Sequence, residues 1–115
     1  MDVEAIKTAV VEALEELKAS DIMVLDVRKM TSLFDYMIVA SAESTRQTKA
    51  LANNVQDKIR HLGARVYGIE GEQTGEWVLV DLGDVIVHVM QPAVRAYYNL
   101  EQLWGGRPPA PHPTR

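Results

Sequence analysis

Val3, Ile6, Val10, Leu14 and Leu17 recur at spacings of three and four residues, while Glu4, Glu12, Glu15 and Glu16 fall on other faces. That rhythm predicts an amphipathic helix with Asp2 as its N-cap. DIMVLDV (21–27) predicts a strand, RKMTSLFD a polar connection, and YMIVAS (36–41) a second, more fully buried strand. A second helix is predicted in STRQTKALANNVQDKIRHLG. There Ser44 and Gln47 form a capping box, Leu51, Val55, Ile59 and Leu62 supply the apolar stripe, and Gly63 ends it. RVYGIEG (65–71) reads as a short third strand leading into the loop EGEQTGE.

GEWVLVDLGDVIVHVM (75–90) is the most apolar stretch and predicts two strands, 76–82 and 85–90, joined through Gly83-Asp84. Glycine first in a two-residue loop suits a type II′ hairpin. Such a loop sets Leu82 opposite Val85, Val80 opposite Val87 and Val78 opposite Val89, which makes one face wholly aliphatic. The other face pairs Asp81 with Ile86, Leu79 with His88 and Trp77 with Met90, so His88 is a diagonal neighbour of both Trp77 and Asp81. Pro92 can begin a last helix through 92–104, with Tyr97, Leu100, Leu103 and Trp104 as the stripe that docks on the sheet and Tyr98 pointing elsewhere. The expected fold is a single α/β domain over residues 1–105: a mixed sheet of about five strands with helices packed against it. Residues 106–115 carry four of the five prolines and are expected to form a disordered tail.

Composition narrows the function classes. The 115 residues suffice for one core, and 47% hydrophobic with 24% charged residues is a soluble globular balance. No apolar run approaches a membrane span, and the acidic N-terminus resembles neither a signal nor a transit peptide, so a cytoplasmic protein is expected. With no cysteine, disulfides, thiolate metal sites and a cysteine nucleophile are all excluded. The net charge of −4 is unevenly spread: residues 1–35 hold eight acids and four bases, 36–65 two acids and five bases, and 66–106 six acids against Arg95 alone. Phosphate binding needs clustered Lys and Arg, so a basic protein is the better-matched partner and little direct nucleic-acid binding is expected.

Asp81, Asp84 and His88 are the polar residues of the apolar hairpin. Asp84 is explained by the turn, and Asp81 beside it by water. His88 alone reads as an interior or rim histidine. Together with Trp77, though, Asp81 and His88 make a face with the aromatic and sparse polar character of an interface centre. A metal site has too few ligands, since Asp81 is the only carboxylate the pairing brings near His88. No serine or threonine is placed beside the histidine for nucleophilic catalysis. SAESTRQ (41–47) and GIEGEQTGE (68–76) lie where phosphate loops occur, but the first lacks glycine and the second carries three glutamates without a GK[ST] ending. No cofactor or metal is expected.

Three segments carry a resemblance: SLFDYMIVASAESTRQTKALA, GIEGEQTGEWVLVDLGDVIVHVM and RAYYNLEQLW. Glu70-Gly71, the run Trp77 to His88, and then Arg95, Tyr98, Leu100, Glu101, Leu103 and Trp104 occur in the order and spacing of the ribosomal silencing factor, or Iojap-like, family. The resemblance covers most of residues 2–105. It implies a translational repressor, not an enzyme, which binds protein fourteen of the large ribosomal subunit and blocks joining of the small subunit when nutrients are scarce. It also implies a homodimer off the ribosome, and for organellar members a part in large-subunit assembly. The implied fold is nucleotidyltransferase-like without the catalytic residues, which leaves a metal-dependent nucleotidyltransferase as the less favoured alternative: there is no Gly-Ser pair, and Asp81 and Asp84 are separated by a turn instead of alternating on one strand. On this reading Trp77 and Tyr98 are apolar anchors, Asp81 pairs with a basic partner residue, His88 orients a hydrogen bond, and Asp35 and Glu70 give acidic support.

Overall fold

The computed structural model describes residues 2–104. Its elements are α1 (Val3–Glu16), β1 (Ser20–Asp26), β2 (Tyr36–Ser41), α2 (Thr45–His61), β3 (Gly68–Glu70), β4 (Trp77–Asp81), β5 (Val85–Met90), α3 (Pro92–Tyr98) and α4 (Leu100–Leu103). The five strands form one sheet in the order β1-β2-β5-β4-β3. Only β2 and β5 pair in parallel; the other three neighbouring pairs are antiparallel. The sheet is therefore mixed, as expected, but the parallel pair does not flank the α2 crossover directly. The strand after α2 goes to the far edge, and the β4–β5 hairpin folds back into the gap.

Both long helices start and stop as their sequences direct. The Asp2 carboxylate accepts from Glu4 N–H at 3.3 Å, and Ser44 Oγ accepts from Gln47 N–H at 3.1 Å. The Gln47 side chain completes the second cap by accepting from Glu43 N–H at 2.7 Å. Its amide also donates to the Leu17 and Lys18 carbonyls, which ties the end of α1 to the start of α2. Lys18 takes a left-handed backbone (φ 62°), so α1 stops at Glu16 and Leu17 leaves the buried stripe. Gly63 ends α2 in the same conformation, with Ala64 N–H bonded to the Ile59 carbonyl.

Alternation along the strands separates two faces. Ile38, Ala40, Val78, Val80, Val85, Val87 and Val89 are fully buried under Ile6, Val10 and Leu14 of α1 and Leu51, Val55 and Ile59 of α2. On the reverse face Leu25, Val27, Met37, Val39 and Met90 form a smaller cluster, closed by Phe34, Trp77, Val94, Leu100 and Trp104. This cover reaches only part of the sheet. Among the described residues no helix is long and apolar enough to cross a membrane.

Three expectations need correction. Residues 92–104 are not one helix, because Asn99 adopts a left-handed backbone (φ 50°) and breaks it into α3 and α4. Tyr97 consequently stands 82% exposed and Leu103 is exposed too, while Leu100 and Trp104 do pack on the sheet. The third strand is shorter than the 65–71 segment, with ladder pairing only from Gly68 to Glu70. The domain boundary at 105 and the proline-rich tail lie outside the described residues.

Candidate protein-docking interface

The β4–β5 register is the one a two-residue loop dictates: Trp77 faces Met90, Leu79 faces His88 and Asp81 faces Ile86. Leu82 N–H bonds to the Val85 carbonyl at 3.0 Å across the turn. Extending the rows through the neighbouring strands gives Val39, His88, Leu79 and Glu70 in one line, and Met37, Ile86, Asp81 and Gly68 in the next. Since α3 and α4 cover only the Met37–Val39–Met90 side, Leu79, Ile86 and Asp81 remain half-buried and Glu70 is exposed.

Trp77 sits at the edge of the cover. Its indole packs against Tyr98 with ring centroids 4.8 Å apart, and its Nε1–H donates to His88 Nδ1 at 2.9 Å. His88 itself is only 5% exposed, so it lies beneath Trp77 and not at the surface. Because Nδ1 accepts, the neutral ring carries its proton on Nε2. Burial away from water pushes the imidazole pKa down to about 4 and keeps it neutral at physiological pH. The role open to His88 is to fix the indole's rotation.

The Asp81 carboxylate accepts from Gly83 N–H at 2.9 Å, which braces the hairpin turn while the side chain stays half-exposed. Tyr98 is 49% exposed and offers its outer ring face beside Trp77. Glu70, Gly71, Trp77 and Leu79 line a cleft of about 270 Å³. The face thus brings together Trp77, Tyr98, Asp81 and Glu70, with His88 below. Asp35 stands at the Asp81 end of this face, away from the two aromatic rings: its N–H bonds to the Asp84 carbonyl at 2.7 Å, beside Val85 of β5. The five-residue run to Met90 puts it about 17 Å from the Trp77 end.

The loop before β4 crosses closely over Trp77. A Cβ on Gly71 would lie 2.0 Å from the Trp77 carbonyl oxygen, and the backbone there has φ +85°. Gly71→Ala is therefore expected to lower stability by about 2 kcal/mol or more, since the left-handed backbone and the clash with main chain both count against it. A urea denaturation midpoint equal to that of the parent would contradict this close approach.

Three features escaped the sequence reading. Phe34 is no part of a polar connection: it packs on Trp104 with the rings tilted and their centroids 5.3 Å apart, and its neighbour Leu33 projects 80% exposed. Met30 in the same loop is exposed as well. Arg95 is buried and bonded to Glu101, Ser41 and the Asp21 carbonyl. A lone cation in an otherwise apolar helix was the available signal for it.

The face carries a packed indole and phenol with two carboxylates at its margin. Among the described residues no three His, Asp or Glu side chains converge as a metal site. A family model described as "Ribosomal silencing factor during starvation" matches residues 1–114. The chain belongs to the ribosomal silencing factor family. A ribosomal silencing factor of Chromobacterium violaceum is 56% identical over 110 residues, 96% of this chain and 90% of that protein. A crystal structure from the same organism superposes with a TM-score of 0.91 at 55% identity, covering 96% of this chain and 92% of the other. More distantly, a mouse protein named "Mitochondrial assembly of ribosomal large subunit protein 1" is 34% identical over 82% of this chain, which spans only 42% of that protein. Ribosomal silencing factors are not enzymes, and the nucleotidyltransferase alternative is set aside on that ground.

Proposed function

We propose that this member represses translation in the cytoplasm by binding protein fourteen of the large ribosomal subunit and sterically blocking the small subunit, mainly under nutrient limitation. The observation that carries this reading is the half-open sheet face, where Trp77 and Tyr98 stand as paired aromatic anchors beside Leu79, Ile86, Asp81 and Glu70. Aromatic side chains at the centre of an interface contribute most of its energy, and acids at the margin suit a basic ribosomal protein. Exposed Leu33, Tyr97 and Leu103 add apolar surface that calls for a cover. A homodimer off the ribosome is part of the same reading, since it would shield that surface; sedimentation equilibrium of the purified protein tests it.

A photoreactive residue at Leu79 provides the test of partner and face together. Irradiation with large subunits is expected to join the chain to protein fourteen. Cross-links only to ribosomal RNA or to other proteins would refute the assignment. Asp81→Asn retains an oxygen for the Gly83 N–H and removes only the charge, so its effect reads electrostatics alone. It should lower affinity by less than about 1 kcal/mol, mainly through a slower and less salt-sensitive association. An unchanged salt dependence would exclude Asp81 from the contact.

The second reading is an assembly factor for the large subunit, favoured by the name of the mouse relative. It predicts that the chain accompanies immature large subunits and that its deletion causes them to accumulate.

A further inference from the structure

Arg95 is the only Lys, Arg, Asp or Glu in the buried class among the described residues. A guanidinium is costly to remove from water unless its donors are matched, and here they are. Nε and Nη2 both reach Glu101 Oε2, at 3.0 and 2.9 Å. Nη1 donates to the Asp21 carbonyl at 2.6 Å and to Ser41 Oγ at 2.8 Å. One side chain on α3 therefore ties together α4, β1 and the end of β2.

Two backbone irregularities serve these bonds. In a continuous helix, residues six apart point about 120° away from each other, so Glu101 would not face Arg95. The left-handed Asn99 breaks the helix and brings the carboxylate alongside. Asp21 is likewise left-handed (φ 49°), within the register shift between Ser20 and Met23 of β1. A bulge of this kind re-aims backbone groups, and the Asp21 carbonyl meets the guanidinium. Left-handed backbone at a residue other than glycine is unfavourable and persists where surrounding contacts enforce it.

The segment held in this way carries the aromatic wall of the candidate face. Tyr98 ends α3 against Trp77, and Leu100 and Trp104 close the sheet beside Phe34. We propose that the Arg95–Glu101 pair, anchored to Asp21 and Ser41, is the latch that sets this wall, which makes Arg95 a positioning residue for partner binding. The inference rests on the docking reading above.

A double-substitution cycle separates positioning from plain structural support. Binding to isolated large subunits is titrated for the parent, Arg95→Met, Arg95→Lys, Tyr98→Ala and the Arg95→Met/Tyr98→Ala pair, each corrected for its folded fraction. If Arg95 acts through the wall, Arg95→Met weakens binding about tenfold, and Arg95→Lys recovers part of the loss. With Tyr98 already truncated, Arg95→Met should add little, less than about threefold. Unchanged affinity of Arg95→Met, or equal losses in both backgrounds, overturns the proposal. Should Arg95→Met fail to fold, Glu101→Gln carries the same cycle. It keeps the shape and one acceptor oxygen, and Glu101 Oε1 has no partner among the described residues. A parent protein that does not bind large subunits would instead overturn the docking reading, and this proposal with it.

Discussion

Trp77→Ala is expected to weaken binding to the large ribosomal subunit by about 2 kcal/mol or more, roughly thirty-fold. The substitution acts on binding and on stability in different ways. The half-buried indole forms the margin of the open face, beside Tyr98 and over the cleft lined by Glu70 and Leu79. Its removal also leaves His88 Nδ1 without the donor it now has at 2.9 Å, a loss that the free and bound protein share and that lowers stability, not affinity. Trp77→Phe separates the two, because it retains a ring against Tyr98 and deletes only the N–H. Titration of the three proteins against isolated large subunits should rank parent above Phe above Ala. Equal affinity of the alanine variant would remove Trp77 from the interface.

Acid should destabilise the fold through the same pair. His88 has a folded pKa near 4, against 6.5 for an unhindered imidazole, so between those values the unfolded chain binds the extra proton. Stability from this source is complete above about pH 6.5 and falls as pH drops through about 4, by about 3 kcal/mol in all. Protonation also converts Nδ1 from acceptor to donor, and the Trp77 bond is lost. Glu4 and Glu16 add their own acid dependence, because bonds to Lys7 and Lys58 lower their pKa values. The informative quantity is therefore the difference between the parent and His88→Asn, whose amide oxygen can still accept from the indole. Urea unfolding from pH 7 to 4 should show the parent losing more stability than the variant. Parallel curves would place the histidine in contact with water.

The hairpin was legible because its loop is two residues long. With Gly83-Asp84 at the turn, every pair from Leu82–Val85 to Trp77–Met90 follows by counting, and alternation then sorts the buried valines from Trp77, Asp81 and His88. The caps at Asp2 and Ser44 were equally readable, since their partners lie within three residues. What could not be read were features settled by distant contacts. Tyr97, Leu100 and Trp104 keep helical spacing, so the pattern gives no hint that Asn99 interrupts it. The break becomes favourable through Arg95, whose partners Asp21 and Ser41 lie 74 and 54 residues away. Phe34 was hidden for the same reason: in RKMTSLFD it has no periodic neighbours, and its packing comes from Trp104 at the other end of the chain. Spacing located His88 on the right face but not its depth, which depends on how far Trp77 and the terminal helices lean over the sheet.

The central claim is that this sheet face, once docked, keeps the ribosomal subunits apart. The most direct measurement mixes separated small and large subunits under joining conditions and follows whole-ribosome formation by light scattering as protein is added. Joining is expected to fall to near zero at saturation, and Trp77→Ala to need roughly thirty-fold more protein for the same effect. Undiminished joining at saturating protein, with binding to the large subunit verified in the same samples, would contradict it.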